Sequence, residues 1–136
     1  ELLGPDAAVE PCEGIIERSY GTFEEGPHDA LPTDVWDPGE DLVPFGGEGS
    51  QALQARMVST LTNLMGIDGV KTLLAVSHGS ASRQFIKATA PEGFELPAKL
   101  PNCAIMIFSF EDAQEECDTS QGKFTLQQII DLQQSR

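Results

Sequence analysis

The stretch Thr72-Leu73-Leu74-Ala75-Val76-Ser77-His78-Gly79 decides the fold expected for this chain. Residues 72–77 are a largely apolar run without a polar face, which is typical of a central strand in a parallel sheet. A helix follows over residues 80–90. Residues 103–110 and 124–130 predict a second strand and a third, edge strand. Strands that alternate with helices indicate an α/β fold with a mostly parallel central sheet flanked by helices.

A second helix is expected over residues 50–65. Ser50 can cap its first turn and Gly66 can end it. Apolar side chains recur along it at helical spacing and predict one buried stripe: Leu53, Met57, Leu61 and Leu64.

The composition bounds the class of protein. The chain has 136 residues and suits a single domain, 1–136. Its formal net charge of −14 argues against nucleic acid or anionic lipid as a partner. There is no membrane-spanning run and no signal-peptide pattern. The three cysteines have no zinc-type spacing and fit reduced thiols, which favours a cytoplasmic location. The sequence shows no metal-ligand cluster, and we expect neither a metal nor a cofactor.

Residues 21–49 are loop-like and acidic. This stretch carries four prolines, six glycines and eight Asp or Glu residues, and it has no Lys or Arg. It is either a solvated surface excursion or a lid that selects substrates over a site.

His78 stands where the apolar run meets the next helix. In open α/β sheets, ligands bind at the carboxyl ends of the strands. The helix N-terminus there favours a phosphate group, and Gly79 lets the backbone approach a ligand. Arg83 and Lys87 share one face of the helix, which is equally consistent with a solvated surface. A histidine at such a place can also be a hydrogen-bonded structural residue.

A second constellation is Glu17-Arg18-Ser19-Tyr20-Gly21, where an acid leaves an extended segment. A carboxyl group held near apolar residues can donate a proton to a leaving oxygen. Most Glu-Arg pairs, however, are surface ion pairs, so this stretch alone is weak evidence.

Together these motifs resemble the histidine phosphatase superfamily, also called phosphoglycerate mutase-like. Residues 17–21 resemble the stretch that carries the family's general acid, and residues 72–83 resemble the strand and turn that carry its second catalytic His. Gly46-Gly47-Glu48-Gly49-Ser50 resembles the segment that opens the helix between them. Residues 100–105 resemble the Pro-Asn turn before the next strand. The order and spacing of these four landmarks also match.

The sequence departs from the family at its nucleophile, the His of an Arg-His-Gly signature, which does not occur in these residues. His28 lies between Pro27 and Asp29 in the acidic loop and does not match that motif. Residues 1–4 resemble the end of a family helix. We therefore expect the C-terminal portion of such an enzyme, inactive without its nucleophile segment.

The resemblance implies phosphoryl transfer through a phosphohistidine, on a small phosphorylated substrate. Catalytic roles fall to Glu17, as acid and base, and to His78, which stabilises the phosphoryl group. Substrate-binding roles fall to Gly79, Ser80 and Arg18, although Arg18 also suits a structural role. The short acidic stretch 21–49 favours a phosphatase on small metabolites. A phosphoglycerate mutase-type isomerase and a non-catalytic binding module remain alternatives.

The missing segment has a structural consequence. In the family, the first strand lies in the middle of the sheet, beside the strand that matches residues 72–77. Without it, that apolar edge would stand open and invite pairing with another chain. We therefore expect a neighbouring strand from upstream residues, from a homo-oligomer or from another partner chain.

Overall fold

The computed structural model describes residues 9–27, 31, 37–97, 99–112 and 122–132. Within them the chain forms two α-helices, two β-strands and three short 3-10 turns. The helices are α1 (Ser50–Met65) and α2 (Gly79–Thr89), and the strands are β1 (Ile105–Glu111) and β2 (Lys123–Ile130). The turns are Glu13–Ile15, Gly21–Phe23 and Val43–Phe45.

Helix α1 confirms the expected amphipathic pattern. Leu53, Met57 and Leu61 are buried along one stripe, whereas Leu64 is only partly covered. The helix ends at Met65, and Gly66 follows as its C-cap. The cap at the other end differs from the prediction, because Gly49 is the N-cap and Ser50 is the first helical residue. The hydroxyl of Ser50 instead contacts the acidic loop and Arg18.

Helix α2 packs against α1 and completes most of the core. Ala81, Phe85 and Ile86 are buried, as predicted, and the helix ends one residue before Ala90, which is extended ahead of Pro91. The last-turn residue Lys87 lies near the negative end of the helix dipole.

Strands β1 and β2 form an antiparallel pair rather than part of a parallel sheet. The register aligns Ile105 with Ile130 and Glu111 with Lys123, with an irregularity after Ile107. The pair covers α2 through its aromatic face, where the Phe85 ring lies 4.9 Å from Phe108 and 5.2 Å from Phe124. Such tilted aromatic contacts add to the stabilisation that burial provides.

The predicted strand at residues 72–77 is not formed. No strand is present over residues 71–78, and no described residue forms a backbone–backbone hydrogen bond with residues 71–77. The exposed fractions of Leu74 and Val76 are 67% and 83%. A strand exists only through its neighbours, and the described part of the chain supplies none here. The mostly parallel sheet therefore remains a prediction.

Some of the predictions made from the sequence concern residues that the structure does not describe. The helix end at residues 1–4, His28 and Cys117 lie outside the described residues. In the part of the chain that is described, no helix has the length and apolar character needed to cross a bilayer.

Candidate functional site

The carboxylate of Glu17 lies at the N-terminus of helix α2. Its Oε1 accepts hydrogen bonds from the backbone N–H groups of Ala81 (2.8 Å) and Arg18 (2.9 Å), and its Oε2 accepts one from Ser80 (3.1 Å). Two N–H groups that the first turn of a helix cannot satisfy internally are thus bound by this side chain. The positive end of the helix dipole also favours an anion at this position.

His78 is the N-cap of the same helix, so the sequence-predicted acid and the second histidine meet at one helix end. The segment before His78 is fixed by the Ser77 hydroxyl, which donates to the carbonyl of Ile15, two residues before Glu17, at 2.7 Å. The His78 side chain is exposed. Apart from its chain neighbours and the backbone of its own helix, no described residue places an atom within 4 Å of where a Cβ on Gly79 would stand, so this backbone is open on that side.

A network around Arg56 holds the Glu17 segment against helix α1. Its Nε and Nη2 donate to the two carboxylate oxygens of Glu48 at 2.8 and 2.7 Å. Its Nη1 donates to the carbonyls of Gly14 (3.1 Å) and Ile16 (3.2 Å), the latter directly before Glu17. Hydrogen bonding to Glu48 raises the pKa of the Arg56 guanidinium above its ordinary value. This arginine therefore ties the acid-bearing segment to the loop that opens α1.

Arg18 faces inward, with an exposed fraction of 2%. Its Nη1 donates to the Gly39 carbonyl (3.2 Å), and its Nη2 donates to the Ser50 hydroxyl (2.8 Å). Burial lowers the pKa of the Arg18 guanidinium. These contacts link the acid segment to the acidic loop, and the substrate-binding role assigned to Arg18 from the sequence remains a prediction.

A cavity of about 240 Å³ opens beside Glu17. Its wall is formed by Glu17, Tyr20, Phe23, Glu24, Leu31 and the Gly26-Pro27 turn. Burial raises the pKa of the Tyr20 phenol, with the neighbouring carboxylates of Glu17 and Glu24 adding to the effect. Glu24 accepts a hydrogen bond from the Tyr20 backbone N–H at 2.7 Å. His78 is not part of this wall, so the cavity lies on the Glu17 side of the site.

Gly21 holds this side of the site close to the turn Val43–Phe45. Its φ is +59°, and a Cβ there would stand 2.3 Å from the Phe45 carbonyl oxygen. Only glycine tolerates both the conformation and the contact. The glycine that follows Tyr20 in the sequence thus allows the cavity wall and the loop to pack together.

Arg83 and Lys87 do not form a freely solvated face, because both contact Asp37 of the acidic loop. Lys87 Nζ donates to Asp37 Oδ2, and Arg83 Nε lies 3.9 Å from the same oxygen. The buried Gln84 donates to Asp37 Oδ1 at 2.9 Å and accepts from Gln54 at 2.8 Å. The acidic loop is therefore attached to α2 at this point.

Sequence reasoning missed the roles of Arg56, Glu48 and Asp37. Arg56 is the single cation of α1, and Glu48 stands in the Gly-rich segment that was quoted without a role. A single cation on α1 with an acidic residue just before the helix was the signal from which their ion pair could have been predicted. The described residues contain no group of three or more His, Cys, Asp or Glu side chains arranged to hold a metal ion.

Comparison with known proteins gives a family match that spans most of the chain. A family model described as the histidine phosphatase superfamily (branch 1) matches residues 2–121, a range that includes both Glu17 and His78. Neither the curated proteins nor the solved structures contain a match. The chain therefore belongs to the histidine phosphatase superfamily (branch 1), an α/β superfamily of phosphatases and phosphoglycerate mutase-type enzymes.

Proposed function

We propose that this chain is part of a phosphatase that acts on small phosphorylated metabolites through a phosphohistidine intermediate. The observation that carries the proposal is the position of the Glu17 carboxylate at the N-terminus of α2, whose N-cap is His78. A proton-transferring carboxyl group and an anion-attracting helix end are the two elements that phosphoryl transfer needs from this part of a site.

Phosphoryl binding and proton transfer would fall to different residues. His78 and the backbone N–H of Gly79 bind the phosphoryl oxygens and stabilise the charge that develops in the transition state. The N–H of Ser80 donates to Glu17 in this structure, so Ser80 would bind phosphate only after releasing that carboxylate. Glu17 protonates the leaving oxygen and then removes a proton from the attacking water. The attack on phosphorus itself requires a histidine that residues 1–136 do not supply in an Arg-His-Gly context. We therefore expect no turnover by this chain alone.

The distribution of charge favours a phosphatase over a mutase. A mutase must hold a second phosphate or carboxylate on its substrate, which requires additional cations. Residues 21–49 contain no Lys or Arg, and Arg18 and Arg56 are engaged within the protein. The two alternative functions against which the proposal is tested are a phosphoglycerate mutase-type isomerase and a non-catalytic binding module.

The test is release of inorganic phosphate from an aryl phosphate by the protein with its nucleophile segment. We expect His78→Ala to lower kcat by roughly 10²–10³, because it removes a preorganised transition-state donor. Glu17→Gln should lower kcat by roughly 10²–10⁴ for an alkyl phosphate, and by less for the aryl phosphate, whose leaving group needs less protonation. Glu92→Gln, on the exposed turn after α2, is the matched control and should leave kcat unchanged.

Two results would count against the proposal. Unchanged turnover in His78→Ala would make that histidine structural. An absence of phosphate release from every ester tested, with the protein folded, would favour the non-catalytic binding module.

A further inference from the structure

The cavity beside Glu17 has the dimensions of a site for a small organic group. Its volume of about 240 Å³ falls below the roughly 300–1,000 Å³ of pockets that hold drug-sized ligands. It adjoins the carboxylate that would protonate a leaving oxygen. The part of a substrate that departs with that oxygen would therefore occupy this space.

The wall of the cavity is negatively charged. Of the residues that the structure describes, Glu17 and Glu24 belong to it and no Lys or Arg does. The acidic stretch 21–49, which supplies most of the wall, has no Lys or Arg anywhere along it. A leaving group with its own phosphate or carboxylate would meet like charge here, and repulsion of that kind is a common source of specificity.

The wall also includes two aromatic residues, Tyr20 and Phe23. The Phe23 ring is held by an edge-on contact with Phe45, whose ring centre lies 5.1 Å away. Aromatic faces combined with carboxylates attract organic ammonium groups through cation–π and charge interactions. Glu24 is fixed in the wall because it accepts the backbone hydrogen bond of Tyr20.

From these contacts we propose that the cavity binds the alcohol part of the substrate and prefers an alcohol that carries an ammonium group. The substrates would then be phosphate monoesters of small amino alcohols or quaternary ammonium alcohols. This inference rests on the proposed phosphatase function, and it adds the class of leaving group. Hydrolysis breaks the bond between phosphorus and the ester oxygen, which leaves with the proton that Glu17 supplies, while water provides the oxygen of the inorganic phosphate.

A measurement of alcohol binding without any phosphate ester tests this inference independently of catalysis. Choline, its uncharged isostere 3,3-dimethylbutanol and glycerate would each be titrated into the isotopically labelled protein, with NMR shifts of Tyr20 and Phe23 as the readout. We expect choline to bind roughly tenfold more tightly than the isostere, and glycerate to bind weakest. Glu24→Gln keeps the hydrogen bond acceptor and should weaken choline binding by roughly tenfold. Glu25→Gln, an exposed neighbour outside the wall, is the matched control.

The inference is overturned if choline does not bind, if choline and its isostere bind equally, or if the two glutamine variants have the same effect. The active protein gives a second measurement, the ratio of kcat/KM for phosphocholine to that for phosphoglycerate, which should exceed about ten. A ratio near one, with turnover of both esters, refutes the substrate class and leaves the phosphatase function intact. Choline binding without hydrolysis of any ester supports the cavity assignment and refutes the phosphatase function.

Discussion

Arg56 is expected to be a sensitive polar position near the site. The change Arg56→Met keeps the apolar stem and removes four hydrogen bonds, two to Glu48 and one each to the carbonyls of Gly14 and Ile16. These bonds connect α1, the loop before it and the Glu17 segment. Their loss should lower the stability of the fold and release the acid-bearing segment.

The magnitude follows from how far the Arg56–Glu48 pair is buried. A hydrogen bond to a charged group contributes about 1.5–3 kcal/mol when shielded from water, whereas an exposed ion pair contributes about 0–1 kcal/mol. The side-chain exposures of 24% and 18% place this pair between the two limits. We therefore expect Arg56→Met to lower the free energy of unfolding by about 2–3 kcal/mol.

Urea unfolding followed by far-UV circular dichroism measures this loss. With a slope of about 1–2 kcal/mol per molar urea, the midpoint should fall by about 1–3 M. Lys71→Met is the control, because this exposed lysine precedes the unpaired segment 72–77. It should change the free energy of unfolding by less than about 0.5 kcal/mol. A double-mutant cycle with Glu48→Gln isolates the ion pair. A loss below about 0.5 kcal/mol in Arg56→Met would refute the reasoning, because the network would then be equivalent to an exposed surface pair.

Three further predictions concern ionisation and exchange. Tyr20 is the only tyrosine, so absorbance at 295 nm follows its ionisation alone. The titration midpoint should lie above 10 in the folded chain and return to about 10 in urea, and equal midpoints would contradict the burial of Tyr20. Burial opposes ionisation of Asp37, but Lys87 outweighs it and the pKa of Asp37 lies below 3.8. The stability difference between wild type and Asp37→Asn should therefore be constant well above pH 3.8 and shrink as the pH falls below it; a difference independent of pH would exclude the linkage. Backbone amides of residues 72–76 should exchange with deuterium near the unprotected rate while those of buried α1 residues are protected, and strong protection at 72–76 would show that this segment is paired.

The helices and the hairpin strands were predictable because their signals are local. The stripe of Leu53, Met57 and Leu61 repeats with the helical period, and Gly66 ends that helix just after Met65. The apolar residues of β1 and β2 alternate or cluster over short runs that suit strands. Each signal depends on neighbours a few residues away, which a sequence displays directly.

Whether residues 72–77 form a strand was not predictable in the same sense. Their apolar pattern is a real signal, but a strand also needs partners for its N–H and C=O groups, and those partners come from distant residues. The same limit applies to Arg56, which bonds residues 8 to 42 positions away. A lone cation on a helix does not reveal which carbonyls it will reach.

The unpaired segment 72–77 and the candidate site adjoin each other at His78. Residues 72–77 lead directly into His78, yet among the described residues the one hydrogen bond from this stretch is that of the Ser77 hydroxyl to the Ile15 carbonyl. Glu17, by contrast, is fixed by three backbone N–H groups and, through Ile16, by Arg56. The Glu17 side of the candidate site is thus fixed, whereas the segment before His78 has no neighbouring strand among the described residues. A strand that paired with residues 72–77 would satisfy their backbone groups, cover Leu74 and Val76, and fix the histidine relative to Glu17. The same strand would thereby complete both the sheet and the catalytic arrangement.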